Sequence, residues 1–310
     1  MAKPVIIDCD PGHDDAIALL LALGSEKLDV KGITTVAGNQ TGDKTINNAL
    51  RVLSYLDIHK EVAKGATKPL IRDLITAAEV HGESGLEGPE LPEPSFEKSE
   101  KSAIELMYEI INESKEKVTL IPTGPLTNIA NLFLAYPSVK DNIEEIVLMG
   151  GACFGGNWTP AAEFNILVDP EAADIVYRSG LPVTMCGLDV THKAQVFKDE
   201  TERIRSIGNK ASKLVAELLD YFGIFHMNPN FGFDGPPLHD VCAVAYVIDP
   251  SIFITEKHNV EIDISGELTV GATVVDYYDT SGKEKNVNVV FDLDREKFID
   301  MLYDNLKKYN

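Results

Sequence analysis

The chain has 310 residues, 44% hydrophobic and 25% charged, enough to bury one large core or two modest ones. Its 49 acidic residues against 28 basic ones leave a formal net charge of −21, which opposes attraction to nucleic-acid phosphates and to anionic membranes. No run approaches the roughly 18 uncharged apolar residues that cross a bilayer, and the opening MAKPVIIDCDPG lacks the layout of a signal peptide, so a cytoplasmic protein that binds neither nucleic acid nor membrane is expected.

Short Val- and Ile-rich runs alternate with helical patterns, which predicts an α/β fold with an open, mainly parallel sheet flanked by helices. Strands are predicted at 4–8, 31–37, 117–122, 144–149 and 182–187, each nearly continuous in apolar residues, as strands covered on both faces are. Helices are predicted at 14–24, 43–57, 101–113, 125–136 and 170–179. Residues 81–96, rich in Gly, Pro and Glu, read as a functional loop, and the wider segment 76–96 as a lid. Beyond a helix-rich stretch at 199–227 and a helix at 239–248, alternating segments at 258–265, 271–277 and 286–291 predict strands at an antiparallel edge, closed by a helix at 293–308. Neither a repeat nor a dividing linker is visible, so residues 1–310 are expected to form one domain. Cys9, Cys153, Cys186 and Cys242 are scattered, which predicts free thiols rather than a zinc or dithiol site.

Chemistry concentrates in Asp8-Cys9-Asp10-Pro11-Gly12-His13-Asp14-Asp15, between the first strand and the first helix. Ligands of α/β sheets collect at such carboxyl ends. Helix capping explains Asp14 and Asp15, but not four carboxylates in eight residues. Their mutual repulsion calls for a cation, and oxygen donors suit Ca²⁺ or Mg²⁺. A strand followed by D-x-D also begins phosphatases of the haloacid-dehalogenase type, which need a Thr soon after the second Asp. Here Pro11 and Gly12 follow Asp10, and the six arginines avoid the polar motifs, so an uncharged substrate is expected.

Asn39 ends the second strand, and Thr123 lies in the turn Pro122-Thr123-Gly124-Pro125 after the third. Met149 is followed by a Gly-rich stretch containing Asn157 and Trp158, then Glu163-Phe164-Asn165, which does not match a dinucleotide-binding fingerprint. Two amides and a carboxylate around an aromatic suit a polyol bearing a flat group, though isolated patterns of this kind also occur in plain polar loops. His239-Asp240 opens a helix, where Asp240 serves equally well as a cap, and His81 stands in the lid.

Taken together, DxDPGxDDA at 8–16, VAGN at 36–39, PTGPLTN at 122–128, MGGA at 149–152, NxTPxAEFN at 157–165 and HD at 239–240 resemble the inosine-uridine-preferring nucleoside hydrolase family over about 300 residues. The resemblance implies hydrolysis of the N-glycosidic bond of a ribonucleoside to ribose and base, with Ca²⁺ held by Asp10, Asp15, the Thr123 carbonyl and Asp240, and with Asp8 behind them. It implies that Asp14, Asn39 and Asn165 meet the ribose 2′ and 3′ hydroxyls, Asn157 and Glu163 the 5′ end, and Met149 the underside of the sugar, with Phe164 lining the pocket. Asp10 would take the proton of the attacking water, and His239, or else His81, would protonate the leaving base. Homodimers or homotetramers are common in the family. The stretch 221–227 lacks the Arg or Gln that relatives often place there. Phe222, His226 and Phe231 are expected at the base instead, with broad use of nucleosides, inosine and uridine first. A different N-riboside, such as nicotinamide riboside, would require only a different base pocket. A calcium-dependent binding protein without turnover would require a damaged acidic set, yet Asp10, Asp15 and Asp240 are present.

Overall fold

A computed structural model describes residues 2–229 and 232–309; Phe231 lies outside them. The apolar run of β1 (Lys3–Cys9) leads to α1 (His13–Gly24), β2 (Leu28–Thr35), α2 (Gly42–Tyr55) and the short β3 (Val62–Lys64). After α3 (Ala78–His81) and α4 (Ala103–Glu113) come β4 (Val118–Pro122), α5 (Thr127–Ala135) and β5 (Ile143–Met149). Two helices, α6 (Phe164–Val168) and α7 (Pro170–Tyr177), precede β6 (Val183–Cys186), and three more, α8 (Leu188–Thr191), α9 (Lys198–Arg205) and α10 (Lys210–His226), follow it. The remainder is α11 (His239–Ile248), β7 (Phe253–His258), β8 (Val260–Ile262), β9 (Thr273–Val275), β10 (Val287–Leu293) and α12 (Arg295–Leu306).

Eight strands form one sheet in the order β3-β2-β1-β4-β5-β6-β10-β7, parallel throughout except that β7 runs antiparallel to β10. Successive β1 residues serve opposite faces, as a period of two requires. Val5, Ile7 and Cys9 pack with α1, α2, α10, α11 and α12, whereas Ile6 packs with α4, α5 and α7. α1 is apolar without a break from Ala16 to Ala22, as a helix covered all round is, and His13 through Ala22 are all buried.

The predicted parallel core holds, but the C-terminal strands are arranged differently. β7 was not expected: its sequence FITEKH is exposed at four central positions, which removes the apolar alternation by which a strand is read. The strand predicted at 258–265 shrinks to β8, which pairs with β9 in a separate two-stranded sheet, and β10 enters the main sheet beside β6. Among the cysteines, none of which is in a disulfide, Cys9, Cys186 and Cys242 are buried and Cys153 is half-buried. Among the described residues no helix is long and apolar enough to cross a membrane.

Candidate active site

Chain direction across the sheet reverses between β1, which leads outward to β2, and β4, which leads the other way to β5. At such a point the loops leaving neighbouring strands diverge and open a crevice at the carboxyl ends. Register places Asp8 beside Pro122, and the Asp8 carbonyl accepts the Thr123 N–H at 2.8 Å, so the Asp10 and Thr123 loops emerge together.

The aspartates that follow are almost wholly buried. Asp15 accepts from the Gly12 N–H at 3.0 Å, the Asn39 side-chain amide at 3.0 Å, the Thr123 hydroxyl at 2.8 Å and the Asp10 N–H at 3.2 Å. Asp10 Oδ2 accepts the Asn39 N–H at 2.7 Å, while Oδ1 is buried without a partner. Asp8 stands behind them, one oxygen accepting from Thr34 at 2.7 Å and Asn128 at 2.8 Å. Burial raises Asp8 to about 7. Burial and then the Asp15 charge push Asp10 and Asp14 above the usual carboxylate range. Asp240 is raised as well, by burial and then by Asp14.

Carboxylate oxygens of Asp14, Asp15 and Asp240 lie within 4.8 Å of one another. No Lys or Arg lines the cavity above them among the described residues. Packed anions without a counter-charge, all donating oxygen, and the orphaned Asp10 Oδ1 beside them fit a hard divalent cation such as Ca²⁺. Asp14, assigned by resemblance to the ribose, thus stands within the acidic group itself, whereas Asp10 borders it through its N–H bond to Asp15.

The cavity above the cluster has a volume of about 460 Å³. Its polar lining includes Asp14, Asn39, Thr123, Asn165 and Asp240. The Asn165 amide donates to the Thr123 carbonyl at 2.7 Å and to the Met149 carbonyl at 3.2 Å, tying the ends of β4 and β5. Glu163 caps α6, its oxygens accepting from the Gly151, Asn165 and Ile166 N–H groups at 2.9, 2.9 and 3.1 Å, and burial raises it to about 7. Asn157 accepts the Phe164 N–H at 3.0 Å. Both residues line the cavity, so the Gly-rich loop is held by the same groups that face a ligand.

Imidazoles and aromatics complete the lining: His81, His192, His226 and His239 with Phe222, Phe225 and Phe233. His226 Nδ1 lies 3.0 Å from the Phe222 carbonyl, which only accepts, so Nδ1 carries the proton. His239 Nδ1 lies 2.8 Å from the Thr191 hydroxyl. Burial lowers His226 to about 4, and burial with neighbouring imidazoles holds His81 and His239 well below the usual histidine range. These rings are uncharged near neutrality, which disfavours His239 or His81 as a standing cationic acid.

The segment expected as a lid is fastened down. The Gly82 carbonyl accepts from Gln40 at 3.1 Å, that of Ser84 from Asn48 at 2.9 Å and that of Leu91 from Arg51 at 2.6 Å. His13 Nε2 donates to the Glu87 carbonyl at 2.8 Å, and its Nδ1 lies 3.1 Å from His81 Nδ1. His81 is buried as a result, with its Nε2 left for the cavity. His13, Thr191, His192, Phe225 and Phe233 were not anticipated. Thr191 and His192 do follow the carboxyl end of β6, a position that marks the same sheet edge.

A model of the family described as inosine-uridine preferring nucleoside hydrolase matches residues 5–300. The pyrimidine-specific ribonucleoside hydrolase RihA of Shewanella sp. strain ANA-3 is 56% identical over 310 residues, covering 100% of this chain and 98% of that protein. The protein of that name from Shewanella oneidensis is 57% identical over 310 residues, with coverage of 100% and 98%. Among solved structures, a purine-preferring ribonucleoside hydrolase from Gardnerella vaginalis superimposes with a TM-score of 0.91 at 34% identity, covering 98% of each chain.

Proposed function

The chain belongs to the inosine-uridine preferring nucleoside hydrolase family and is a ribonucleoside hydrolase, and on that footing we propose that its substrates are pyrimidine ribonucleosides, cleaved with a divalent cation held in the acidic cluster. The observation that carries the metal reading is the buried, counter-charge-free group of Asp14, Asp15 and Asp240 beneath the cavity, bordered by Asp10 through its N–H and by Thr123 through its hydroxyl, both bonded to Asp15. A cation bound there would supply a water of lowered pKa and a positive field for the vicinal ribose hydroxyls.

Hydrolysis joins a water oxygen to C1′ and breaks the C1′–N bond, whose electron pair leaves with the base. Asp10 Oδ1, the one unpartnered oxygen of that carboxylate, is the atom that takes the water's proton. As the bond stretches, the sugar gains positive charge, which the surrounding carboxylates favour in the transition state more than in the ground state. Asn39 and Asn165 are each anchored to the acidic loops and hold the sugar edge, while Glu163 and Asn157 face its 5′ end. The neutral rings of His239, His226 and His81 surround the base.

Support for pyrimidines comes from relatives above 50% identity that are pyrimidine-specific by name, set against a purine-preferring structure at 34%. This narrows the broad use expected from the aromatic floor alone. The test is release of ribose and base from uridine, cytidine, inosine, adenosine and guanosine, with and without a chelator. Uridine and cytidine should be cleaved fastest, with equal ribose and base, and chelation should abolish both. Asp10→Asn should lower kcat by about 10²-fold or more while leaving the fold intact. Faster cleavage of inosine would overturn the base assignment, and full activity in chelator would overturn the metal.

A further inference from the structure

Thr191 ends α8 and is wholly buried. Among the described residues its hydroxyl has one hydrogen-bond partner, Nδ1 of His239 at 2.8 Å. A threonine hydroxyl always carries a proton, and a buried one requires an acceptor. Were the His239 proton on Nδ1, that N–H would donate to Oγ1, and the hydroxyl proton would point into a closed interior with nothing to receive it. The arrangement that satisfies both groups has Thr191 donating and Nδ1 accepting. The proton of the neutral ring then sits on Nε2, which has no hydrogen-bond partner among the described residues and belongs to a residue lining the cavity.

The turn that carries Thr191 is held in place. The Leu188 N–H donates to the Gly151 carbonyl at 2.9 Å, and Asp189 accepts from the N–H groups of Cys153 at 2.7 Å and Phe154 at 3.2 Å. A side chain at Gly187 would collide with Gly151, which is how β6 and the Gly-rich loop come so close. The hydroxyl is therefore fixed relative to the loop that faces the substrate.

We propose that Thr191 is a positioning residue, whose hydroxyl holds His239 in the tautomer that presents an Nε2–H donor to the departing base. The proposal rests on the hydrolase reading above. A neutral imidazole that surrendered this proton would become an imidazolate, so His239 keeps it and donates a hydrogen bond into the negative charge that grows as the C1′–N electron pair leaves with the base. The base departs as an anion and takes its proton afterwards from water. His226 is fixed in the opposite sense by the Phe222 carbonyl, with Nε2 as acceptor, so these two rings together offer the base one donor and one acceptor.

Two measurements test this. In the first, wild type, Thr191→Val and Thr191→Ser are assayed on uridine and on 4-nitrophenyl β-D-ribofuranoside, whose leaving group is a stable anion without a donor. For Thr191→Val the ratio of kcat on uridine to kcat on the nitrophenyl riboside should fall by roughly fivefold to tenfold, and Thr191→Ser should restore it. An unchanged ratio, with both rates falling together, would reduce Thr191 to a structural role and overturn the proposal. In the second, imidazole ¹⁵N shifts of the wild-type protein, assigned with a His239→Gln variant, should show the His239 proton on Nε2; a proton on Nδ1 would overturn the proposal whatever the variants do. Failure of the wild-type protein to cleave either substrate would instead overturn the hydrolase reading, which the tautomer measurement does not depend on.

Discussion

His226 is a group whose titration separates folding from function. Burial holds it down to about 4 against an ordinary value of 6.5, so the fold prefers the neutral ring. That preference stabilises the protein fully above pH 6.5 and is lost progressively as the pH falls from there toward 4. The raised carboxylates Asp8 and Glu163 work the other way, stabilising the fold as the pH falls below about 7. Only a paired comparison isolates one group. In His226→Phe the loss of Tm between about pH 7 and pH 4.5 should be smaller than in wild type, and parallel melting curves would show that the ring does not titrate in this range. At this scale Asp8, Asp10, Asp14 and Asp15 were legible because they crowd into one short stretch that carries its own chemistry. Thr191 and His13 were not, because each acquires its role from a partner 48 or 68 residues away.

Elements place these groups by close approach. Gly124, in the turn after β4, and Gly38, after β2, both lie against the Asp10 carboxylate, and a β-carbon at either would collide with it. Neither glycine has a positive φ, so the requirement is space rather than backbone conformation. Gly124→Ala should therefore lower kcat by at least tenfold by displacing Asp10, with a cost in stability of about 1–3 kcal/mol from overpacking. Steady-state kinetics beside thermal unfolding would decide the point; a large loss of Tm with normal turnover in the surviving protein would contradict it. The β1, β4, β5 and β6 runs, largely apolar and mostly buried, could be read from sequence because both their faces are covered. β3 and β8, of three residues each, and the turns α6 and α8 are too short to show a period. The segment around residues 82–91 illustrates a different limit. Its composition correctly marks irregular backbone, yet whether such a segment swings or is fastened depends on Gln40, Asn48 and Arg51, which no local pattern connects to it.

Across the whole molecule, the negative charge is not confined to the surface. Four aspartates of the site, Asp10, Asp14, Asp15 and Asp240, are buried together near the middle of the sheet edge. Without a cation this cluster opposes folding, and a ligand that binds only the folded state adds stability in proportion to the logarithm of its saturation. Ca²⁺ at about a hundred times its dissociation constant should add about 2.7 kcal/mol, seen as a rise of several degrees in Tm over chelated protein. Scanning calorimetry with and without chelator measures this directly, and identical curves would mean that no cation binds the cluster. The lining of the site runs from Asp14 to Asp240, with Asp10 joined through its N–H bond to Asp15, so its completeness was legible only as a series of separate motifs at matching strand ends.

The placement of β10 between β6 and β7 has a bearing on how the chain reaches this state. By the time Asp240 has been synthesised, every residue of the acidic cluster exists, but β6 still lacks one neighbour and β7 has yet to be made. Only when residues 287–293 arrive can the two be joined, β6 in parallel and β7 antiparallel. A growing chain therefore carries an open, apolar sheet margin through its last stages, and contacts that close it link positions about a hundred residues apart, the kind that form slowly and leave intermediates prone to aggregation. A chain that ends short of residues 287–293 would therefore carry all of its site residues and six strands of the main sheet, with the β6 margin left open.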